Sequence, residues 1–198
     1  YTLTDGDGDT DTATLTLSLV KLDDAPDALP NVNGGPEPTT ADRHLIIVLG
    51  DQLDLDAAAF DGFDATCDAV WMAEAAEEST HVWSSQPRIA IFLSAMRHFA
   101  QALRDAGRPL HYQSLDEGPA TLAAALQAAI AQHKPDALVM TAPGDARVLA
   151  SLRAVANQAG LVLDIREDRH FFSAVREFAA HAKGRKQLRM EYFYREMR

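Results

Sequence analysis

The chain has 198 residues, 47% of them apolar, a net charge of −11 and a single cysteine, Cys67. That length accommodates one medium domain and an appendage, while one cysteine excludes an internal disulfide and any all-cysteine zinc or iron–sulfur site made by this chain alone. No apolar run approaches the roughly 18 residues needed to span a bilayer, and the polar opening has no signal-peptide pattern, so no membrane partner and a reducing, cytoplasmic setting are expected.

The acidity is unevenly spread. Residues 1–43 hold nine acids against Lys21 and Arg43, whereas residues 44–198 hold twenty acids against sixteen bases. The last stretch, 183–198, reverses sign, with six bases against Glu191 and Glu196. The overall charge therefore does not speak against a nucleic-acid partner for the main body.

Residues 1–20 alternate. Ala13, Leu15, Leu17 and Leu19 fall on one face and Thr12, Thr14, Thr16 and Ser18 on the other, which predicts a half-buried strand. Asp5-Gly6-Asp7-Gly8-Asp9 ahead of it reads as a hairpin turn. Asp5, Asp7 and Asp9 have the alternate spacing of an EF-hand loop, but Thr10 stands where that loop needs glycine and Thr16 where it needs glutamate, so a plain turn is expected. This piece resembles the terminal hairpin of a repeat from large secreted bacterial adhesins of the cadherin-like or calcium-binding kind. Residues 21–43 carry Pro26, Pro30, Pro36, Pro38 and Gly34-Gly35 with few large apolar side chains, the composition of a disordered linker.

From His44 the pattern becomes strand, helix, strand. Apolar runs at 44–49, 69–73, 109–113, 137–140 and 161–165 predict five strands, the first covered on both faces. Between them, 88–106, 120–133 and 145–159 repeat apolar residues every three or four positions, with Pro87 opening the first helix and Gly107 and Gly160 closing the first and third. The expected fold class is α/β, a five-stranded parallel Rossmann-like sheet with helices on both faces. A further helix is expected over 172–183, then a break at Gly184 and a basic, aromatic helix over 185–198.

In an open parallel sheet, ligands sit at the carboxyl ends of the strands. Those ends carry Gly50-Asp51-Gln52, Glu74, Pro143-Gly144-Asp145 and Arg166-Glu167-Asp168-Arg169-His170. Neither G-x-G-x-x-G nor G-x-x-x-x-G-K-[ST] is present, so ordinary dinucleotide and P-loop sites lack their phosphate cradle. Gln52 and Glu74 suit an uncharged heteroaromatic ring or a ribityl chain better than a triphosphate. The plainer alternative makes Asp51 a helix cap and Glu74, Glu77 and Glu78 a solvated helix start. The histidines at 81, 98, 111, 133, 170 and 181 show no paired ligand spacing, so no metal site is expected. Ser94 lies within a helix rather than on a nucleophile elbow. Cys67, Trp71 and Trp83 read as packing residues. No catalytic residue is assigned. The stretch Gly184–Met190 could meet phosphates or face another domain.

Four stretches in order carry a resemblance: Leu49-Gly50-Asp51-Gln52-Leu53, Met72-Ala73-Glu74, Leu93-Ser94-Ala95-Met96-Arg97-His98-Phe99, and the block from Gly184 to Arg198. Over residues 44–198 the chain resembles the amino-terminal part of the deoxyribodipyrimidine photolyase-related proteins, the iron–sulfur bacterial cryptochromes and (6-4) photolyases. The resemblance implies an amino-terminal α/β domain holding a 6,7-dimethyl-8-ribityllumazine antenna. It also implies a helical carboxyl-terminal domain holding FAD and a four-cysteine 4Fe–4S cluster and binding damaged DNA, with light driving electron transfer to a pyrimidine lesion. Carried over, the antenna contacts are Gly50, Asp51, Gln52 and Glu74, with Leu53 and Met72 as wall residues. Where the family often has T-E-P-G-E-W-R-V, this chain has Thr141-Ala142-Pro143-Gly144-Asp145-Ala146-Arg147-Val148, and His81 replaces a common aromatic.

The expected organisation is thus a hairpin fragment at 1–20, a linker at 21–43, the antenna-binding domain at 44–183, and at 184–198 the start of a connection to an absent FAD and iron–sulfur domain. Such a chain alone is not expected to repair DNA, and no defined protein partner is implied. The alternative is a non-catalytic nucleotide- or flavin-type binding domain. An adhesin fragment would account only for residues 1–20.

Overall fold

The computed structural model describes residues 2–4, 10–12 and 42–198, apart from 83, 117 and 119. The chain divides into two units, Tyr1–Glu37 and Pro38–Arg198. In the first, β1 (Thr2–Thr4) pairs antiparallel with β2 (Thr10–Thr12), Thr2 opposite Thr12. The expected turn at 5–9, the alternating run through Leu19 and the linker as far as residue 41 lie outside the described residues.

The second unit alternates strand and helix. Its elements are β3 (His44–Ile47), β4 (Asp68–Ala73), α1 (Ala76–Thr80), α2 (Gln86–Asp105), β5 (Leu110–Gln113), α3 (Leu122–His133), β6 (Ala137–Thr141), α4 (Ala146–Ala159), β7 (Val162–Arg166), α5 (Val175–Ala182) and α6 (Met190–Glu196). The five strands β3 to β7 are all parallel, in the order β5-β4-β3-β6-β7. The expected doubly covered parallel sheet is therefore present. No described helix is long and apolar enough to cross a membrane.

Side chains alternate across a strand, so a strand covered on both faces reads as a continuous apolar run. Leu45, Ile47, Ala69, Trp71, Leu138 and Met140 pack against Leu122, Ala125 and Leu126 of α3 and Val148, Leu152 and Val155 of α4. Their neighbours Ile46, Val48, Val70, Met72 and Val139 pack on the other face against Met96, Phe99 and Leu103 of α2 and Phe60 of a short 3-10 helix, Ala58–Phe60. Each fully buried aliphatic side chain contributes about 1.5–3 kcal/mol to folding.

Local chemistry sets the helix ends. Pro87 lies in the first turn of α2, where a missing N–H costs nothing. The Thr121 hydroxyl accepts from the Ala124 N–H (3.2 Å) at the start of α3, and the Asp145 carboxylate from the Arg147 N–H (2.7 Å) at the start of α4. Gly160 ends α4 at φ +70°, a conformation that a side chain resists.

The terminal helix differs from expectation. It spans only Met190–Glu196, and residues 185–189 are not helical. Gly184 turns the chain at φ +76°, and Arg185 then reaches back to the carbonyl of His181 (2.7 Å) and to Glu196 (2.8 Å). The guanidinium thereby ties α5 to α6 across a bend, and Phe193 meets Phe178 edge-on at 5.1 Å inside it.

Candidate functional site

The strand order reverses beside β3: the chain proceeds from β3 to β4 and β5 on one side, then crosses to β6 and β7 on the other. In open parallel sheets the carboxyl edge at such a reversal, between the loops leaving β3 and β6, is where ligands bind, and it is the candidate crevice here. The β3 loop turns tightly, with the Gln52 N–H bonded to the carbonyl of Leu49 (3.0 Å). The Gln52 side chain then spans the reversal, its Nε2 donating to the carbonyl of Ala142 just after β6 (2.9 Å).

This bond fixes which way the amide points and leaves Gln52 Oε1 buried without a partner. Thr141, the last residue of β6, is 4% exposed, and its hydroxyl is likewise unpartnered. Among the described residues two further buried side-chain atoms lack partners, Gln113 Nε2 at the end of β5 and Arg147 Nε in the first turn of α4. All four therefore lie at the carboxyl ends of strands or just beyond them. Leaving a buried polar atom unpaired costs about 1–3 kcal/mol, and folded proteins leave few. Their concentration along one edge makes it the candidate place for a hydrogen-bonding ligand.

Gly50 sits beneath the middle of α2. A Cβ there would come within 2.6 Å of the Phe92 ring and 2.8 Å of the Met96 sulfur, so the missing side chain lets the helix rest on the turn. Asp51 is exposed and caps no helix, because the segment after it turns and then enters the 3-10 helix at Ala58. Leu53 is half-buried against the α2-side core. Met72 is fully enclosed in that same core.

Glu74 follows β4, and its carboxylate is entirely buried. Arg97 of α2 grips it with two bonds, Nε to Oε1 (2.7 Å) and Nη2 to Oε2 (2.9 Å). The Tyr112 hydroxyl donates to Oε1 (2.5 Å) and the Leu115 N–H to Oε2 (2.9 Å). Burial pushes the Glu74 carboxyl up, but the hydrogen bonds from Arg97, Tyr112 and Leu115, with the Arg97 charge, outweigh it and hold the group below its ordinary value. The bond to Glu74 raises Arg97, while burial and then Glu74 raise Tyr112. At neutral pH the three are carboxylate, guanidinium and neutral phenol. With four donors on two oxygens, Glu74 is neither a solvated helix start nor a group with spare acceptor capacity. It fastens Arg97, itself half-exposed, and Tyr112 beside the crevice.

Other strand-end groups act as clamps. Arg147 bridges Glu78 (3.0 Å), Asp145 (3.3 Å) and Glu77 (3.5 Å). Arg166 donates to the carbonyls of Ala58 (2.9 Å) and Asp61 (2.7 Å), and Arg169 pairs with Asp61, so this end of β7 holds the loop containing the 3-10 helix. The structure thus sets Gly50, Asp51 and Gln52 after β3 at the carboxyl edge and Glu74 after the adjacent β4, and places Leu53 and Met72 in the packing layer. Sequence reasoning missed Thr141, Arg97 and Tyr112 as site residues. Arg97 and Thr141 each lay inside a stretch compared with the family, whereas nothing about Tyr112 in sequence connects it to Glu74.

A family model described as deoxyribodipyrimidine photo-lyase-related protein matches residues 46–198. A (6-4) photolyase from Agrobacterium fabrum is 40% identical over 156 residues, covering 78% of this chain and 31% of that relative. The chain therefore spans about a third of the relative's length.

Proposed function

The chain belongs to the deoxyribodipyrimidine photo-lyase-related protein family, and from that premise we propose that residues 44–198 form the antenna-binding domain of a light-driven photolyase or cryptochrome acting on pyrimidine photoproducts. The observation that carries the reading is the set of unpartnered polar atoms at the strand reversal, Gln52 Oε1 and Thr141 Oγ1 foremost. A carbonyl oxygen and a hydroxyl are neutral partners. They suit the N–H and carbonyl groups of a lumazine ring and the hydroxyls of a ribityl chain, and they offer no phosphate counter-charge.

The residues present therefore fit 6,7-dimethyl-8-ribityllumazine, whose contribution when bound is absorption of near-ultraviolet to blue light for transfer to a reduced flavin. Gln52 Oε1 would accept from the ring, and the Thr141 hydroxyl would donate to it or to the sugar chain. Gly50 allows α2 to close one wall, and Glu74 holds Arg97 and Tyr112 in place behind the site. One cysteine cannot furnish a four-cysteine cluster. In this reading FAD, the 4Fe–4S cluster and the contacts to damaged DNA belong to protein outside these residues, and the 198 residues alone do not repair DNA.

A nucleotide- or flavin-type ligand is the second reading, because a sheet reversing beside its first strand is also the mononucleotide-binding arrangement. Fluorescence titration with ribityllumazine, FMN and AMP separates the two. The antenna reading expects preference for ribityllumazine and its loss in Gln52→Leu. Tighter binding of FMN or AMP, with Gln52→Leu indifferent, favours the second.

A further inference from the structure

At the opposite, amino-terminal edge of the sheet the fold assembles three side chains that no sequence spacing connects. Asp42 lies two residues ahead of β3, His111 is the second residue of β5, and His133 is the last of α3. Each is partly buried, and their ligand atoms all lie within 4.8 Å of one another. His111 Nε2 is 3.1 Å from Asp42 Oδ2, and His133 Nδ1 is 3.9 Å from the same oxygen. The two imidazoles stack with centroids 3.5 Å apart and planes 21° from parallel.

We propose that Asp42, His111 and His133 form a divalent transition-metal site of the zinc type. Two imidazole nitrogens and one carboxylate oxygen are a ligand set that Zn²⁺ accepts, with a fourth position left for water. Ligand bonds of about 2.0–2.1 Å in a tetrahedron place donor atoms roughly 3.4 Å apart. The separations from the carboxylate oxygen, 3.1 and 3.9 Å, straddle that value. An imidazole lone pair lies in the ring plane, so bringing the remaining pair, at most 4.8 Å apart, onto one ion requires the two rings to swing out of their stack by side-chain rotation. Without an ion the cluster gains one hydrogen bond, between His111 and Asp42, and leaves His133 stacked beside it at longer range.

The position suggests what such an ion does. Asp42 belongs to the segment that enters β3, and its carbonyl accepts from the Asp136 N–H (3.3 Å) ahead of β6. An ion held here ties the entry to β3, the edge strand β5 and the end of α3 to one point. It is a structural staple that uses none of the residues placed at the crevice.

The test is equilibrium titration of the full chain with Zn²⁺, followed by Co²⁺ as a spectroscopic probe. Wild-type protein is expected to bind one ion per chain, to show the visible bands of low-coordinate Co²⁺, and to melt at higher temperature with Zn²⁺ than without. His111→Gln and His133→Gln should each weaken binding more than tenfold, since loss of even an outer-shell partner costs about 10–100-fold. They should also abolish the Zn²⁺-dependent rise in Tm while keeping the wild-type circular dichroism. Asp42→Asn serves as a third variant should either histidine change perturb folding. The proposal is overturned if wild-type protein binds no Zn²⁺, or if folded variants bind it with unchanged stoichiometry and affinity; the cluster is then a hydrogen-bonded pair with a stacked neighbour.

Discussion

Glu74 shows how one residue can be located by sequence and yet have its role decided by neighbours far along the chain. Its partners Arg97 and Tyr112 are 23 and 38 residues away. Removing one member of a buried ion pair strands the other, at about 3–5 kcal/mol. Arg97 is half-exposed and recovers some solvation, so Glu74→Ala is expected to cost about 3 kcal/mol in urea unfolding, the low end of that range. Glu74→Gln keeps part of the bonding and should cost less. The pH dependence has a definite sign. A carboxyl held low in the folded state stabilises above its unfolded pKa, and that contribution is lost as pH falls through the folded value. The gap in stability between wild type and Glu74→Gln should be flat near neutrality and narrow in acid. A gap that widens in acid would contradict the assignment. At Gly50, substitution by alanine should destabilise through Phe92 and Met96, and Phe92→Ala should recover part of the loss; additive effects in that double-mutant cycle would show that the two do not meet.

At the scale of elements, the strands and the three long helices were legible because their burial leaves a direct trace in the apolar pattern. Strand β3 is covered on both faces and reads as an unbroken apolar run, while α2, α3 and α4 show stripes punctuated by Pro87, Gly107 and Gly160. The terminal helix was over-extended, because the bend at 185–189 depends on where Arg185 finds acceptors, and composition does not show that. The family resemblance implies Met72 as a wall of the ligand site, and strand alternation sends its side chain into the α2-side core. Met72→Ala should therefore cost about 2–5 kcal/mol of stability and leave ligand affinity in the folded fraction near wild type. A selective loss of affinity would return it to the site. Thr121→Ala, which removes the hydroxyl capping α3, should cost about 1 kcal/mol, read as a fall in Tm.

At the scale of the whole molecule, the two edges of the sheet have different characters. The amino-terminal edge gathers Asp42, His111 and His133, and the carboxyl edge gathers the unpartnered polar atoms. The strand end carrying Gly50-Asp51-Gln52 was legible in the sequence. The neighbouring strand end was named only as Pro143-Gly144-Asp145, because the bond from Gln52 to the Ala142 carbonyl depends on the parallel pairing of β3 with β6.

The measurement that reaches the central claim most directly is an absorption spectrum of the chain after mixing with 6,7-dimethyl-8-ribityllumazine and removing free ligand. The antenna reading expects a retained near-ultraviolet to blue band at about one chromophore per chain, reduced in both Gln52→Leu and Thr141→Val while the fold persists. A folded, colourless wild-type protein, or a band equally strong in both variants, would contradict the placement of the antenna at this strand reversal.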